Sequence, residues 1–181
     1  MKGYQRAVFL DRDGVINRAF IRQGKPYPPN SAEELEILPG VRESLSALRQ
    51  AGFLLIVVTN QPDVGRGTQS RETVEAIHSR LGAELALDDI LVCYHTDSDD
   101  CFCRKPAPGL LQQAAGRHRL HLPSCYMVGD RWRDVDAGHN AGCKPILIDY
   151  NYQEQKPRKE PVAVLHSLRE AADWILRFPE S

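Results

Sequence analysis

Two carboxylates, Asp11 and Asp13, lie one residue apart, directly after the apolar run Ala7-Val8-Phe9-Leu10 and directly before Gly14. A continuously hydrophobic run that stops in charge and glycine reads as a buried parallel strand. In an open α/β sheet, ligands gather at the carboxyl ends of such strands. Extended chain would send the two side chains to opposite faces, but Gly14 lets the backbone turn so that both can face one crevice. A pair of this kind can hold a divalent cation, and one carboxylate can act as nucleophile while its neighbour moves protons. Taken alone, Asp-X-Asp fits a solvated strand end equally well.

Three further groups sit at comparable places. Thr59 and Asn60 follow the apolar run Phe53–Val58 and offer a hydroxyl and an amide to a phosphoryl oxygen. Gly129-Asp130 closes the run Cys125–Val128, and Asp134 adds carboxylate oxygen four residues on. Arg104 and Lys105 follow the strand expected at Ile90–Cys93 and supply positive charge. Each has a plain reading as a turn, a helix start or a solvated loop. Gathered at strand ends of one sheet, they provide what phosphoryl transfer needs: carboxylates for a metal, and cations and donors around the phosphoryl oxygens.

Cys93, His95, Cys101 and Cys103 form a separate cluster, a Cys₃His set sufficient for closed tetrahedral zinc. With no coordination position left for water, that zinc would be structural, ordering a polar stretch that buries little apolar area. The alternatives are a buried Cys93 beside unrelated thiols, or a redox pair. Cys125 and Cys143 read as core residues. His78, His118, His121, His139 and His166 lack partner spacing and read as surface or satisfied positions.

The elements that must position these groups alternate. After Asp13, Val15–Asn30 is irregular, broken by Gly24, Pro26, Pro28 and Pro29, and would arch over the strand ends. Val41, Leu45 and Leu48 mark a helix stopping at Gly52. Ser70 reads as an N-cap with Thr73 at N3, opening a helix to about Ala86 with Val74, Ile77, Leu81 and Leu85 on one face. Further helices are expected over Gly109–Arg119, Asp134–Asn140 and Val164–Leu176, with a fifth strand at Ile146–Ile148. Tyr150–Glu160 has no periodicity. This order predicts an α/β fold with a parallel, doubly wound sheet in one domain spanning 1–181.

Composition sets the outer limits. The chain has 181 residues, 42% hydrophobic and 26% charged, with a formal net charge of −1. That balance gives no basic face for nucleic acid or anionic membrane, and no apolar run approaches the length of a membrane span. The amino terminus has no signal-peptide layout. Five cysteines, three of them between 93 and 103, favour metal ligation in a reducing compartment over a disulfide framework, so the cytoplasm is expected. A monomer is expected, since no surface stripe asks for a partner.

Asp11-Arg12-Asp13-Gly14, Thr59-Asn60, Lys105-Pro106 and Gly129-Asp130-Arg131 with Asp134 resemble, in order, the four motifs of the haloacid dehalogenase superfamily of phosphatases. The match covers residues 7–134. The resemblance implies a Rossmann-like three-layer parallel sheet without a cap domain, and magnesium-dependent hydrolysis through an aspartyl phosphate. By motif position it makes Asp11 the nucleophile and Asp13 the general acid/base, protonated when substrate binds. It implies Mg²⁺ held by Asp11, the Asp13 carbonyl and Asp130, with Asp134 in support, and Thr59 and Lys105 stabilising the phosphoryl group. The zinc loop and Arg104-Lys105-Pro106 are similar to those of two groups within the superfamily, one acting on heptose 1,7-bisphosphate and the other on histidinol phosphate. Asn17, Arg66-Gly67 and Tyr126-Met127-Val128-Gly129-Asp130 look more like the heptose group. That resemblance implies substrate contacts at Asn60, Gln61, Arg104 and Arg131, and a small phosphorylated sugar as partner. The chain departs from the pattern at Tyr94, Pro62, the Arg18–Asn30 loop and Trp132, which leaves the exact sugar open. A zinc-ordered binding module without catalysis is the reading from another class; only Phe102 lies between the paired thiols, so stacking on bases is poorly served.

Overall fold

The computed structural model describes residues 4–178. Its centre is a six-stranded parallel sheet in the order β5-β4-β1-β6-β7-β8. These strands are β1 (Arg6–Leu10), β4 (Phe53–Asn60), β5 (Asp89–Cys93), β6 (Tyr126–Gly129), β7 (Lys144–Ile148) and β8 (Ala163–Leu165). A separate antiparallel hairpin is formed by β2 (Phe20–Arg22) and β3 (Lys25–Tyr27). The helices are α1 (Val41–Gln50), α2 (Pro62–Gly65), α3 (Arg71–Glu84), α4 (Gly109–His118), α5 (Trp132–Ala141) and α6 (Leu168–Arg177).

Strand periodicity divides the core into two layers. Along β1, Val8 and Leu10 join Leu45, Leu48, Ile77, Leu81, Ala172 and Ile175 on one side of the sheet. Ala7 and Phe9 join Leu110, Leu111, Ala114 and Ala137 on the other. β4 and β6 repeat the alternation: Leu55, Val57, Tyr126 and Val128 face the first layer, and Ile56, Val58 and Met127 face the second. All of these side chains are essentially removed from water. Burial on both faces is why the strands read as unbroken apolar runs, and why the alternating chain closes into three layers.

The chain winds from β1 outward to β4 and β5, then crosses back to β6 on the other side of β1. That reversal places the carboxyl ends of β4, β1 and β6 side by side at the switch point of the sheet, where a crevice must open. β5, at the sheet edge, ends in Cys93 and so delivers the cysteine-rich loop to the same rim.

Two expectations need correction. Val15–Asn30 is not wholly irregular. Gln23 and Gly24 both take positive φ, 50° and 71°, closing a two-residue turn between Arg22 and Lys25, and such turns match the twist of paired strands. The segment expected as one helix from Val164 begins as strand. Ala163–Leu165 pairs in parallel with Ile146–Ile148, and the helix starts only at Leu168, where Ser167 accepts the Glu170 N–H at 3.1 Å. Between β4 and α3, Pro62–Gly65 makes one helical turn. The Ser70 cap is as expected, accepting the Thr73 N–H at 3.1 Å.

Candidate active site

Asp11 leaves β1 with its N–H donated to Val128 O at 2.9 Å, which locks the strand end against β6. Two residues on, Gly14 turns the chain at φ +86° and donates its N–H to Asn17 O at 2.7 Å. A methyl group at Gly14 would lie 2.1 Å from Asp130 Oδ2, so the loop packs directly on that carboxylate. Only glycine meets both demands.

Lys105 is buried beneath the crevice, and each of its three ammonium protons has an acceptor. Nζ lies 2.8 Å from Asp11 Oδ1, 2.6 Å from Asp134 Oδ1 and 2.8 Å from Val58 O. Burial works against its charge, but Asp11 and Asp134 more than compensate and raise its pKa. Asp11 is pushed up to about 6, chiefly by burial, with Lys105 opposing and Asp134 and Asp13 adding repulsion. Asp130 is raised well above the ordinary carboxylate range by burial, then by Asp11 and Asp134. Its two oxygens are buried without a hydrogen bond of good geometry, although the Tyr152 hydroxyl leans toward it.

One oxygen from each of Asp11, Asp130 and Asp134 lies within 4.8 Å of the others. Three buried carboxylates with a single ammonium between them carry uncompensated negative charge. A hard divalent cation takes such oxygens as ligands, and the orphaned pair on Asp130 is what it would satisfy. Asp134 has less to offer a metal directly, because Oδ1 meets Lys105 and Oδ2 accepts the Arg131 N–H at 3.0 Å.

Asp13 is held differently. Oδ1 accepts from Arg12 Nε at 3.2 Å and Asn17 Nδ2 at 2.9 Å; Oδ2 accepts from Arg12 Nη2 and Gln61 Nε2, each at 2.9 Å. Burial would raise its pKa, but the Arg12 charge and these four donors hold it below the usual value. Arg12 itself is fully buried, and its Nη1 lies 3.1 Å from His78 Nε2. Sequence reasoning quoted Arg12 only as part of a motif and read His78 as a surface or satisfied position; it is satisfied, by Arg12, but the support it gives behind Asp13 was not foreseen. The available signals were an arginine flanked by two site carboxylates, and a histidine one helical turn after the core position Val74.

The residues expected to meet substrate are engaged in structure as well. Asn60 exchanges both hydrogen bonds with the Lys105 backbone, Nδ2 to O at 3.0 Å and N to Oδ1 at 3.1 Å, and so fixes the loop that carries the lysine. Gln61 donates to Asp13 and, at 3.0 Å, to Thr59 Oγ1. Arg131 pairs with Glu154 at 2.5 Å. Arg104 grips Asp97 through Nε and Nη2 at 3.0 and 3.3 Å and donates Nη1 to His95 O. The crevice above them, about 370 Å³, is also lined by Lys25, Tyr27, Arg66 and Arg133. Lys25 and Tyr27 come from the hairpin, which partly roofs the site.

Cys93, His95, Cys101 and Cys103 bring one ligand atom each to within 4.8 Å of the others. The sulfurs lie 2.9, 3.5 and 3.6 Å apart, and His95 Nδ1 lies 3.3 Å from Cys103 and 3.5 Å from Cys93. Tetrahedral zinc–thiolate bonds of about 2.3 Å set sulfurs about 3.8 Å apart; two of the three pairs lie near that spacing and the third is tighter, and the donor set is one that suits that ion. Cys125 and Cys143 are buried in the core, away from this cluster.

Comparison with known proteins gives one consistent picture. A HAD-hydrolase-like family model matches residues 102–171. The D-glycero-beta-D-manno-heptose-1,7-bisphosphate 7-phosphatase of Helicobacter pylori strain J99 is 34% identical over 180 residues, 94% of this chain and 97% of that protein. The D-glycero-alpha-D-manno-heptose-1,7-bisphosphate 7-phosphatase of Mycobacterium tuberculosis is 42% identical over 144 residues, 76% of this chain and 74% of that protein. The crystal structure of the D,D-heptose 1,7-bisphosphate phosphatase of Bordetella bronchiseptica, complexed with magnesium and phosphate, superposes with a TM-score of 0.82. It is 32% identical and covers 96% of this chain and 98% of its own.

Proposed function

The chain belongs to the haloacid dehalogenase-like phosphatases, in the family of the heptose-1,7-bisphosphate 7-phosphatases, and from that premise we propose that it removes the 7-phosphate of D-glycero-D-manno-heptose 1,7-bisphosphate. The observation that carries this reading is the arrangement of Asp11, Lys105, Asp130 and Asp134 around the carboxyl ends of β1 and β6, with Thr59 beside them on β4.

Asp11 is the nucleophile. A carboxylate oxygen attacks phosphorus, the phosphorus–oxygen bond to C7 of the sugar breaks, and the leaving alkoxide takes a proton from the carboxylic acid form of Asp13. Water then attacks the phosphorus of the aspartyl phosphate while the Asp13 carboxylate takes its proton. Asp11 and inorganic phosphate separate, and Asp13 is again the acid. Lys105, fixed by three acceptors, holds positive charge beside the oxygen that reacts, and Thr59 donates to a phosphoryl oxygen. Asp11, the Asp13 carbonyl and Asp130 would hold Mg²⁺, with Asp134 in support; when bound, the ion offsets the repulsion between carboxylate and phosphate.

Cys93, His95, Cys101 and Cys103 would hold a structural zinc, which when bound would fix the turn that delivers Arg104 and Lys105. Among the described residues no helix is long and apolar enough to cross a membrane, and we place the enzyme in the cytoplasm as a monomer that does not bind nucleic acid.

The test is Mg²⁺-dependent phosphate release from both anomers of heptose 1,7-bisphosphate, histidinol phosphate and a 3′-phosphorylated oligonucleotide. One heptose anomer is expected to dominate by kcat/KM. Asp11→Asn and Asp13→Asn are each expected to lower kcat by at least ~10³. Preference for histidinol phosphate overturns the substrate and leaves the chemistry standing. Near-normal turnover in Asp11→Asn removes the mechanism.

A further inference from the structure

Beyond the reacting centre, the mouth of the crevice holds an arrangement of charge that the chemistry above does not use. Asp97, in the loop after β5, receives two guanidinium groups. Arg104 binds it through two nitrogens, and Arg133, from the first turn of α5, reaches Oδ1 with Nη1 at 3.0 Å. Arg133 also lies over the ring of Trp132, 4.7 Å from its centroid. The side chain of Arg104 is 10% exposed and that of Arg133 25%, whereas that of Asp97 is 55% exposed. The carboxylate therefore faces water and draws the two cations together at the crevice wall, where both line it.

One carboxylate between two guanidiniums leaves a net positive charge. Burial depresses the Arg133 pKa; Asp97 opposes this, and the neighbouring charges of Arg104 and Arg131 depress it further. Each guanidinium has five N–H donors. Arg104 uses three, on Asp97 and the His95 carbonyl, and Arg133 one, on Asp97, so donors remain on both. Converging cations that repel one another and retain free donors suit a second anion, and planar forks fit phosphate in particular.

Building on the bisphosphate reading, we propose that Arg133 joins Arg104 in holding the phosphate that does not react, and that Asp97 is the positioning residue that sets both guanidiniums at that distance. Trp132 serves as the shelf that keeps Arg133 from turning out to solvent. Selectivity for bisphosphates over monophosphates is then set by this cluster and not by the reacting centre.

The readout is the ratio of kcat/KM for heptose 1,7-bisphosphate to that for heptose 7-phosphate, measured for wild type, Arg133→Gln, Arg133→Lys and Asp97→Asn. Losing one charge-assisted phosphate contact is expected to lower the ratio about 10- to 100-fold in Arg133→Gln, through KM for the bisphosphate. Arg133→Lys is expected to restore part of it, and Asp97→Asn to lower it about tenfold. An unchanged ratio in Arg133→Gln, or equal loss on both substrates, overturns the proposal. Fructose 1,6-bisphosphate and fructose 6-phosphate form a parallel pair. If heptose 1,7-bisphosphate is not turned over while wild type favours fructose 1,6-bisphosphate and Arg133→Gln loses that preference, the anion site stands and the heptose assignment falls. If wild type prefers neither bisphosphate to its monophosphate, the site itself is refuted.

Discussion

His78 gives the sharpest quantitative test of how the catalytic loop is held. Its Nε2 lies 3.1 Å from Arg12 Nη1, and a guanidinium can only donate, so Nε2 is an acceptor and the ring proton belongs on Nδ1. Protonating the second nitrogen would set one cation against another in a half-buried site. Burial first, and the Arg12 charge second, lower its pKa from 6.5 to about 4, with Asp13 opposing. A histidine depressed in the folded state takes up protons on unfolding between those two values. Stability from this group is therefore fully present above pH 6.5 and is lost as pH falls toward 4. With those two values, moving from pH 7.5 to 5.0 costs about 2 kcal/mol, which at an m-value of about 2 kcal/mol/M is a midpoint shift of about 1 M urea. His78→Gln keeps an acceptor and removes the titration. Urea unfolding of both proteins at the two pH values cancels the carboxylates and metal ligands they share. Wild type is expected to lose about 2 kcal/mol more than the variant. Parallel losses, within about 0.5 kcal/mol, would refute the placement of a neutral His78 behind Arg12.

Two further outcomes test the buried charges and the loop. Lys105→Met strands Asp11 and Asp134 without their cation; it is expected to cost about 3–5 kcal/mol in urea unfolding and to lower kcat by about 10²–10³, read by phosphate release with Mg²⁺. Undiminished stability would mean that the lysine does not neutralise the pair. One zinc per chain is expected by metal analysis, lost in Cys103→Ser, with the loop between 94 and 104 then cut faster by protease and kcat/KM reduced through Arg104. Equal zinc content in both proteins would remove the Cys₃His assignment.

The strands that carry the chemistry were legible because the sheet buries both faces. β1, β4 and β6 each read as an apolar run ending in polar groups, and those ends are where Asp11, Thr59 and Asp130 stand. β8 was hidden because Leu165 and Leu168 are spaced as on a helix face, and a three-residue edge strand has too few residues to show a period of two. The hairpin was hidden by Pro26, tolerated because β2 and β3 make an isolated ribbon with open edges; the pair Gln23-Gly24 was the available sign of its turn. Arg12 could be read as charged but not as buried, since its burial depends on partners 66 residues away. Asp97, in the loop after β5, and Arg133, in the first turn of α5, are 36 residues apart, and no local pattern joins them.

The geometry at Asp13 carries a consequence for its two duties. Four donors occupy its two oxygens, and a carboxylate has about four lone-pair sites. A protonated carboxyl carries a donor of its own, which here would meet a donor from Arg12, Asn17 or Gln61. Taking up the proton therefore requires giving up at least one of these bonds, and Arg12, charged and bidentate, opposes it most strongly. The arrangement described is thus that of the base, the form that takes a proton from water. Delivering a proton to the leaving alkoxide requires the carboxyl to give up at least one of these donors first, and because Arg12 opposes that most strongly, the hold of His78 on Arg12 bears on how firmly Asp13 is kept in its ionised position.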